Sequence, residues 1–300
     1  MKIGVLNGGS SEERDVSLKS GKAIISACEE LGHNVISIDP KDGIDSLINN
    51  LKGLDLVFNG LHGGEGENGV IQGLLQSMGV KFTGSGNESS AICMDKRLSK
   101  ALVQRKNILT PDWLSLDKNE KIPKDYKLHF PLIVKPNDQG STIGLTVAKN
   151  NKELNVGIDL ARKFTRTVMI ERFIDGREIT VTIIGDKPYP IVEIFPKKGL
   201  YDYESKYTKG FTDYFCPADI KSDLTKTIQS KALKIHKLLE CRHYSRVDFI
   251  LDKNLKPWFL EVNTLPGMTE TSLVPKSAAV AGLSFEELIE KIIMESLIDE

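Results

Sequence analysis

The chain has no apolar run approaching the ~18 residues that a membrane-spanning helix requires. It has no charge surplus: 40 Lys and Arg stand against 41 Asp and Glu, a formal net charge of −1. Such a balance creates no global field to gather nucleic acid or an anionic membrane. Cysteine is scarce, and Cys28, Cys93, Cys216 and Cys241 lie far apart with no CxxC pair. They read as small buried hydrophobes in a reducing cytoplasm. The five histidines show neither HExxH nor zinc-finger spacing, which argues against zinc. Two nucleotide signatures are missing as well. GxxxxGK[ST] and GxGxxG do not occur, so neither a Walker loop nor a dinucleotide fingerprint is present. Repeats and low-complexity segments are absent. The N-terminal MKIGVLNGGS meets glycine too soon for a secretory signal and reads as a first strand. What remains is an ordinary soluble composition, 40% hydrophobic and 27% charged. Three hundred residues exceed one comfortable core and predict two or three subdomains.

Periodicity divides the chain into 1–87, 88–173 and 174–300. In the first part, KIGVLN, NVISID and LDLVFN are short apolar strands. Between them, apolar residues recur at helical spacing over Leu18–Leu31 and Asn68–Met78. This alternation implies a parallel sheet, whose function sits beyond the carboxyl ends of its strands. Those ends carry Asn7-Gly8-Gly9-Ser10 and the glycine-rich stretch from Asn59 to Glu65. The second part predicts a helix over Ala91–Arg105 and strands LIVKP, TIGLTV and TVMIERF. The third predicts two strands joined at Gly185-Asp186 and a long lid-like loop over 196–218. A helix over Leu224–Leu239, a hairpin, and a closing helix over Phe285–Leu297 complete it.

The hairpin is the most informative stretch. Glu261 and Asn263 are two residues apart, as are Arg246 and Asp248, so each pair faces one side of its strand. Asp252-Lys253-Asn254 reads as the turn. Asp248, Glu261 and Asn263 interrupt strongly apolar strands, which argues against ordinary surface acids. Two carboxylates and an amide are hard oxygen ligands suited to Mg²⁺, which keeps room for water or phosphate.

Other segments leave two readings open. Lys135 followed by the turn Gly140 to Gly144, with Ser141 and Thr142 inside it, is either a phosphate-binding loop or a plain hairpin. Glu171 to Ile174 is either an extended edge for adenine or a connector. Ser10 and Glu13 match a capping box, yet Asp15 is an alternative N-cap that would release Glu13 for a ligand cation. Lys206 and Tyr207 belong either to a lid over an anionic substrate or to a solvated loop.

These features occur together and in order in one family. GGSSEERDVSL (8–18), LHGGEGENG (61–69), MDK (94–96), VKP (134–136), GSTIG (140–144), YDYESKY (201–207), SRVDF (245–249) and LEVNTLPGMTETSLVP (260–275) resemble the D-alanine–D-alanine ligases of the ATP-grasp superfamily. The resemblance spans essentially the whole chain. It implies an α/β (α+β) ATP-grasp fold: a parallel βαβ N-terminal domain, a central α+β lid domain and a mixed-sheet C-terminal domain. ATP would lie between the last two.

By the same resemblance, Lys96 and Lys135 clamp ATP phosphates beneath Gly140, Ser141 and Thr142. Glu171, Phe173 and Ile174 line the adenine pocket, and Glu178 reaches the ribose. Asp248, Glu261 and Asn263 hold two Mg²⁺, with Mn²⁺ as a substitute. Glu13 takes the ammonium of the first D-alanine, near His62. Lys206, Ser272 and Leu273 position the second. Ser141 and Tyr207 link Glu13 to the lid, and Arg246 with the Gly267 N–H stabilises a tetrahedral oxyanion. The resemblance further implies a cytoplasmic homodimer that makes D-alanyl-D-alanine for peptidoglycan.

Three positions depart from the family pattern: His243 for Gly, Thr142 for Ser, and Asn68 for Asp. Rival readings are a D-alanine–D-lactate ligase, which Tyr207 disfavours, another ATP-grasp carboxylate–amine ligase, and a non-catalytic ATP-binding protein. No side-chain base for the attacking ammonium emerges.

Overall fold

The computed structural model describes residues 1–123, 125–197, 211–269 and 271–298. Three sheets organise them. The first follows the predicted βαβ alternation through β1 (Lys2–Leu6), α1 (Arg14–Glu30), β2 (Asn34–Ile38), α2 (Ile44–Leu51), β3 (Leu56–Asn59) and α3 (Val70–Ser77). Its strands are parallel in the order β2-β1-β3. Ile24, Ala27 and Cys28 of α1 close over Ile3, Val5 and Phe58, and the helix Phe285–Ile298 packs on the same core. The order reverses between β1 and β3, so the glycine-rich turns after both strands face one crevice.

The helix expected over Ala91–Arg105 is broken in two, α4 (Asn87–Met94) and α5 (Lys96–Arg105). Asp95 is the cause. Its backbone is extended, and its carboxylate accepts the Leu98 N–H at 3.0 Å, capping α5 in place of continuing α4. Lys96 thereby becomes the first residue of α5.

The second sheet holds β4 (Trp113–Leu116), β5 (Leu132–Pro136), β6 (Thr146–Ala148) and β7 (Val168–Arg172), antiparallel in the order β4-β7-β5-β6. The helix α6 (Asn151–Ala161) covers it through Leu154 and Ile158. The strand expected over TIGLTV begins only at Thr146. Ser141, Thr142 and Gly144 have φ of 51°, 62° and 70°, left-handed conformations that a strand cannot contain.

The third sheet contains β8 (Gly176–Ile184), β9 (Lys187–Pro188), β10 (Val192–Pro196), β11 (Thr212–Phe215), β12 (Tyr244–Asp252) and β13 (Pro257–Asn263). A mixed sheet was expected here. Every pairing among the described residues is antiparallel. Short turns join β8 to β9 and β12 to β13, and parallel neighbours would need long crossovers. Part of the expected 196–218 loop is strand: β11 pairs with β10 from Thr212 to Phe215. Residues 198–210, with Lys206 and Tyr207, lie outside the described residues. The helix Ser222–Leu238 buries Ile228, Ala232 and Ile235 against Val181, Val247 and Phe249. No described helix is long and apolar enough to cross a membrane.

Candidate active site

β12 and β13 place Arg246 opposite Asn263 and Asp248 opposite Glu261. Two-residue spacing puts all four side chains on one face. Beyond Asp248 the register shifts, and Phe249 pairs with Phe259. Leu260 is the extra residue of a β-bulge. Leu260 and Glu261 therefore both border the cleft, while Phe259 and Val262 point into the core.

The Arg246 guanidinium donates to both Asp248 oxygens, at 3.0 and 2.8 Å, a bidentate pair. Thr180 donates its hydroxyl to Asp248 Oδ1 at 2.5 Å. Lys96 Nζ stands 3.1 Å from Glu261 Oε2 and donates to the Gln139 carbonyl at 2.8 Å. Across the cleft, Lys135 on β5 donates to Glu171 Oε1 at 2.5 Å, and Lys100 on α5 lies 2.9 Å from Glu171 Oε2. Burial opposes ionisation of Glu171, but Lys100 and Lys135 outweigh it and pull the carboxyl down to about 2. Burial also pushes the Lys100 ammonium down to about 8, against the pull of Glu171.

A first cleft lies between the second and third sheets. Lys96, Lys135, Gly140, Thr142, Glu171, Phe173, Ile174 and Glu178 all line it, with Arg246, Asp248 and Glu261. Ile133, Leu145, Ile250 and Leu260 supply apolar wall. Ser141 turns instead toward a second cavity, where its hydroxyl donates to the Glu13 carboxylate. Glu13 occupies the cap position of α1 without making a side-chain cap bond, so the capping-box alternative does not hold. The Asp15 N-cap alternative does not hold either, since α1 starts at Arg14.

The second cavity gathers Glu13, His62, Ser141, Arg246, Asn263, Gly267, Ser272 and Leu273. His62 Nδ1 lies 3.1 Å from the Gly60 carbonyl, so Nδ1 carries the proton and donates. Burial keeps this imidazole below its ordinary pKa, against the pull of Glu13. A Cβ at Gly267 would sit 2.8 Å from Ser272 Oγ and 3.4 Å from His62 Nε2, so the Ser272 hydroxyl would have to move aside. Gly140, Arg246 and Glu261 border both cavities.

The family profile "D-ala D-ala ligase C-terminus" matches residues 102–294, and "D-ala D-ala ligase N-terminus" matches 43–85. A D-alanine–D-alanine ligase of Clostridium botulinum (strain Eklund 17B / Type B) is 42% identical over 99% of each chain. The chain belongs to the D-alanine–D-alanine ligase family. The crystal structure of the Bacillus anthracis ligase complexed with ATP superposes with a TM-score of 0.88 at 36% identity, covering 99% of this chain and 98% of that one. The VanG D-Ala:D-Ser ligase of Enterococcus faecalis gives 0.84 at 30% identity, with 99% of each chain covered.

The three departures from the ligase pattern take the following places. Asn68 Oδ1 accepts the Val70 N–H at 3.2 Å, just ahead of α3, whose cap position is Gly69. His243, at φ 58°, accepts the Gly84 N–H on Nδ1 at 3.0 Å and borders neither cavity. Thr142 keeps its place in the loop beside the first cleft. Two residues of this ligase-family site were missed in the sequence. Glu67 lines the second cavity, where burial and then Glu13 push its carboxyl up to about 8. Lys100 sits one helical turn beyond Lys96, and that i,i+4 spacing was its only signal.

Proposed function

We propose that this chain joins two D-alanine molecules into D-alanyl-D-alanine at the expense of ATP. The observation that carries the reading is the shared border of the two cavities at Gly140, Arg246 and Glu261. A terminal phosphate in the first and a carboxylate in the second would meet there. The adenine would lie against Phe173 and Ile174 beside the Glu171 backbone, with the ribose toward Glu178. Lys96 and Lys135 would face the phosphates, with the Gly140–Thr142 turn above them.

Asp248 and Glu261, opposite one another and joined by Asn263, form a hard-oxygen set that fits Mg²⁺. In this structure Arg246 and Lys96 meet those carboxylates, so cations already complement them. Two Mg²⁺, or Mn²⁺ in their place, would supply charge neutralisation during phosphoryl transfer. Among the described residues no cluster of three His, Cys, Asp or Glu could hold a metal alone.

Glu13 would anchor the first D-alanine ammonium beside His62. The carboxylate of that D-alanine would take the γ-phosphoryl group and become an acyl phosphate, releasing ADP. The amine of the second D-alanine, held by Ser272, Leu273 and Lys206, then attacks that carbonyl. The C–N bond forms, the C–O bond to phosphate breaks, and inorganic phosphate leaves. Arg246 and the Gly267 N–H would hold the developing oxyanion. Ser141 and Tyr207 would tie Glu13 to a lid that keeps water from the acyl phosphate. The same reading divides the chain at 87 and 173 and makes it a cytoplasmic homodimer that supplies peptidoglycan synthesis.

The test is ATP-dependent phosphate release with D-alanine, with L-alanine, and with D-alanine plus D-lactate or D-serine, each product identified by mass. D-Alanyl-D-alanine as the dominant product supports the proposal. A depsipeptide or a D-alanyl-D-serine product overturns the choice of second substrate. No product from any mixture overturns the ligase reading.

A further inference from the structure

Lys100 borders neither cavity, and its side chain is 0% exposed. An ammonium has three donors and a charge; here two donors meet hydrogen-bond acceptors and the charge is paired with Glu171. Nζ lies 2.9 Å from Glu171 Oε2, donates to Thr110 Oγ1 at 2.8 Å, and reaches the Phe259 carbonyl at 3.5 Å. Glu171 belongs to β7 and Phe259 to β13, so one side chain joins the two sheets that wall the nucleotide cleft.

The charge count is the unusual part. Glu171 is 2% exposed, and its other oxygen is held by Lys135 at 2.5 Å. Two buried ammonium groups thus share one carboxylate, and the cluster carries a surplus of one positive charge. A Lys135–Glu171 pair without Lys100 would be neutral. Buried charge is costly unless matched, and the open side of this cluster is the cleft, where Lys135 stands.

We propose that Lys100 is a positioning residue for the nucleotide: it occupies half of the Glu171 carboxylate and so leaves Lys135 with positive charge to offer the phosphates. Lys100 itself never meets the ligand. The inference rests on the nucleotide reading above and deepens it.

The test is calorimetric binding of a non-hydrolysable ATP analogue with Mg²⁺ to the full chain, together with steady-state kinetics. Lys100→Met should weaken analogue binding roughly 10- to 100-fold, the scale of one hydrogen bond to a charged group. The KM for ATP should rise in step, with kcat and the D-alanine dependence changing far less. Lys100→Met/Glu171→Gln restores the surplus charge on Lys135 and should recover most of the lost affinity. A merely structural role predicts the opposite, a double variant weaker than either single one, and that result overturns the inference. Should Lys100→Met not fold, Lys100→Gln, which keeps a polar group near Thr110 and removes only the charge, carries the test. It should weaken analogue binding on the same scale, and wild-type binding by the folded variant overturns the inference. Wild-type chain that binds no analogue refutes the nucleotide reading. Wild-type binding matched by folded Lys100→Met refutes only the role of Lys100.

Discussion

The two cavities that meet at Glu261 are built in different ways. The first cleft is framed by strands: β5, β7, β8, β12 and β13 contribute Lys135, Glu171, Glu178, Asp248 and Glu261. Its charges are already paired across the walls. The second cavity is assembled mostly from turns that follow strands, bringing Glu13, His62, Glu67, Gly267 and Ser272 from distant parts of the chain. Strands hold a generic ligand in rigid register, whereas turns can vary without disturbing a core. On the function proposed above, nucleotide handling would be a property of the framework, and choice of amino acid a property of the loops.

The largest expected effect removes the boundary between the two. Glu261→Gln should lower ligation by on the order of 10³-fold, since it weakens charge neutralisation at phosphoryl transfer. Phosphate release alongside circular dichroism checks this, and near-normal turnover by a folded variant refutes the metal assignment. Arg246→Met comes next, with kcat reduced roughly 10²- to 10³-fold through loss of one oxyanion donor. Single-turnover measurement of dipeptide formation would expose it.

Glu13→Gln sharpens the contrast, because it belongs to the loops alone. It should raise the KM for the first D-alanine roughly 10- to 100-fold through one lost charged contact. Analogue binding in the first cleft should not move, and a parallel loss there would mean that the cavities are not separable. Lys206→Ala should weaken chiefly the second D-alanine, and an unchanged dependence on D-alanine concentration would count against that role.

The smallest effect is one of pH. Glu67 stays protonated in the folded chain up to about 8, while an ordinary glutamate ionises near 4.5. Between those values the native state holds a proton that the unfolded chain has released, so wild-type stability falls as pH rises. Glu67→Gln should flatten the dependence of Tm on pH across that window, and equal slopes for both proteins would refute the assignment.

Much of the framework could be read in advance because strand alternation is a short-range signal. Arg246, Asp248, Glu261 and Asn263 show their common face at two-residue spacing. The turn between β5 and β6 announced itself through Gly140 and Gly144. What escaped depended on partners distant in sequence. Lys100 looks like an ordinary surface lysine on an amphipathic helix until Glu171, Thr110 and Phe259 arrive from elsewhere. Asp95 fits inside a helical pattern, and only the choice between continuing α4 and capping α5 settles its backbone. The direction of β8 relative to β12 is likewise a pairing across more than sixty residues, which no local pattern encodes. Glu13 was left between two roles because its partner, Ser141, is 128 residues away.

The bulge at Leu260 has a consequence for how β13 is written. Burial along Pro257–Asn263 runs buried, partly buried, buried, then two partly buried residues, then buried again. The strand changes phase at that point. Its first half speaks to the core on odd numbers and its second half on even ones. The bulge, more than the chemistry of residue 260, keeps Glu261 and Asn263 in the cleft. Straightening the strand with every residue retained would turn both side chains toward the hydrophobic interior, whereas deleting that single leucine would restore an unbroken rhythm and leave both where they are.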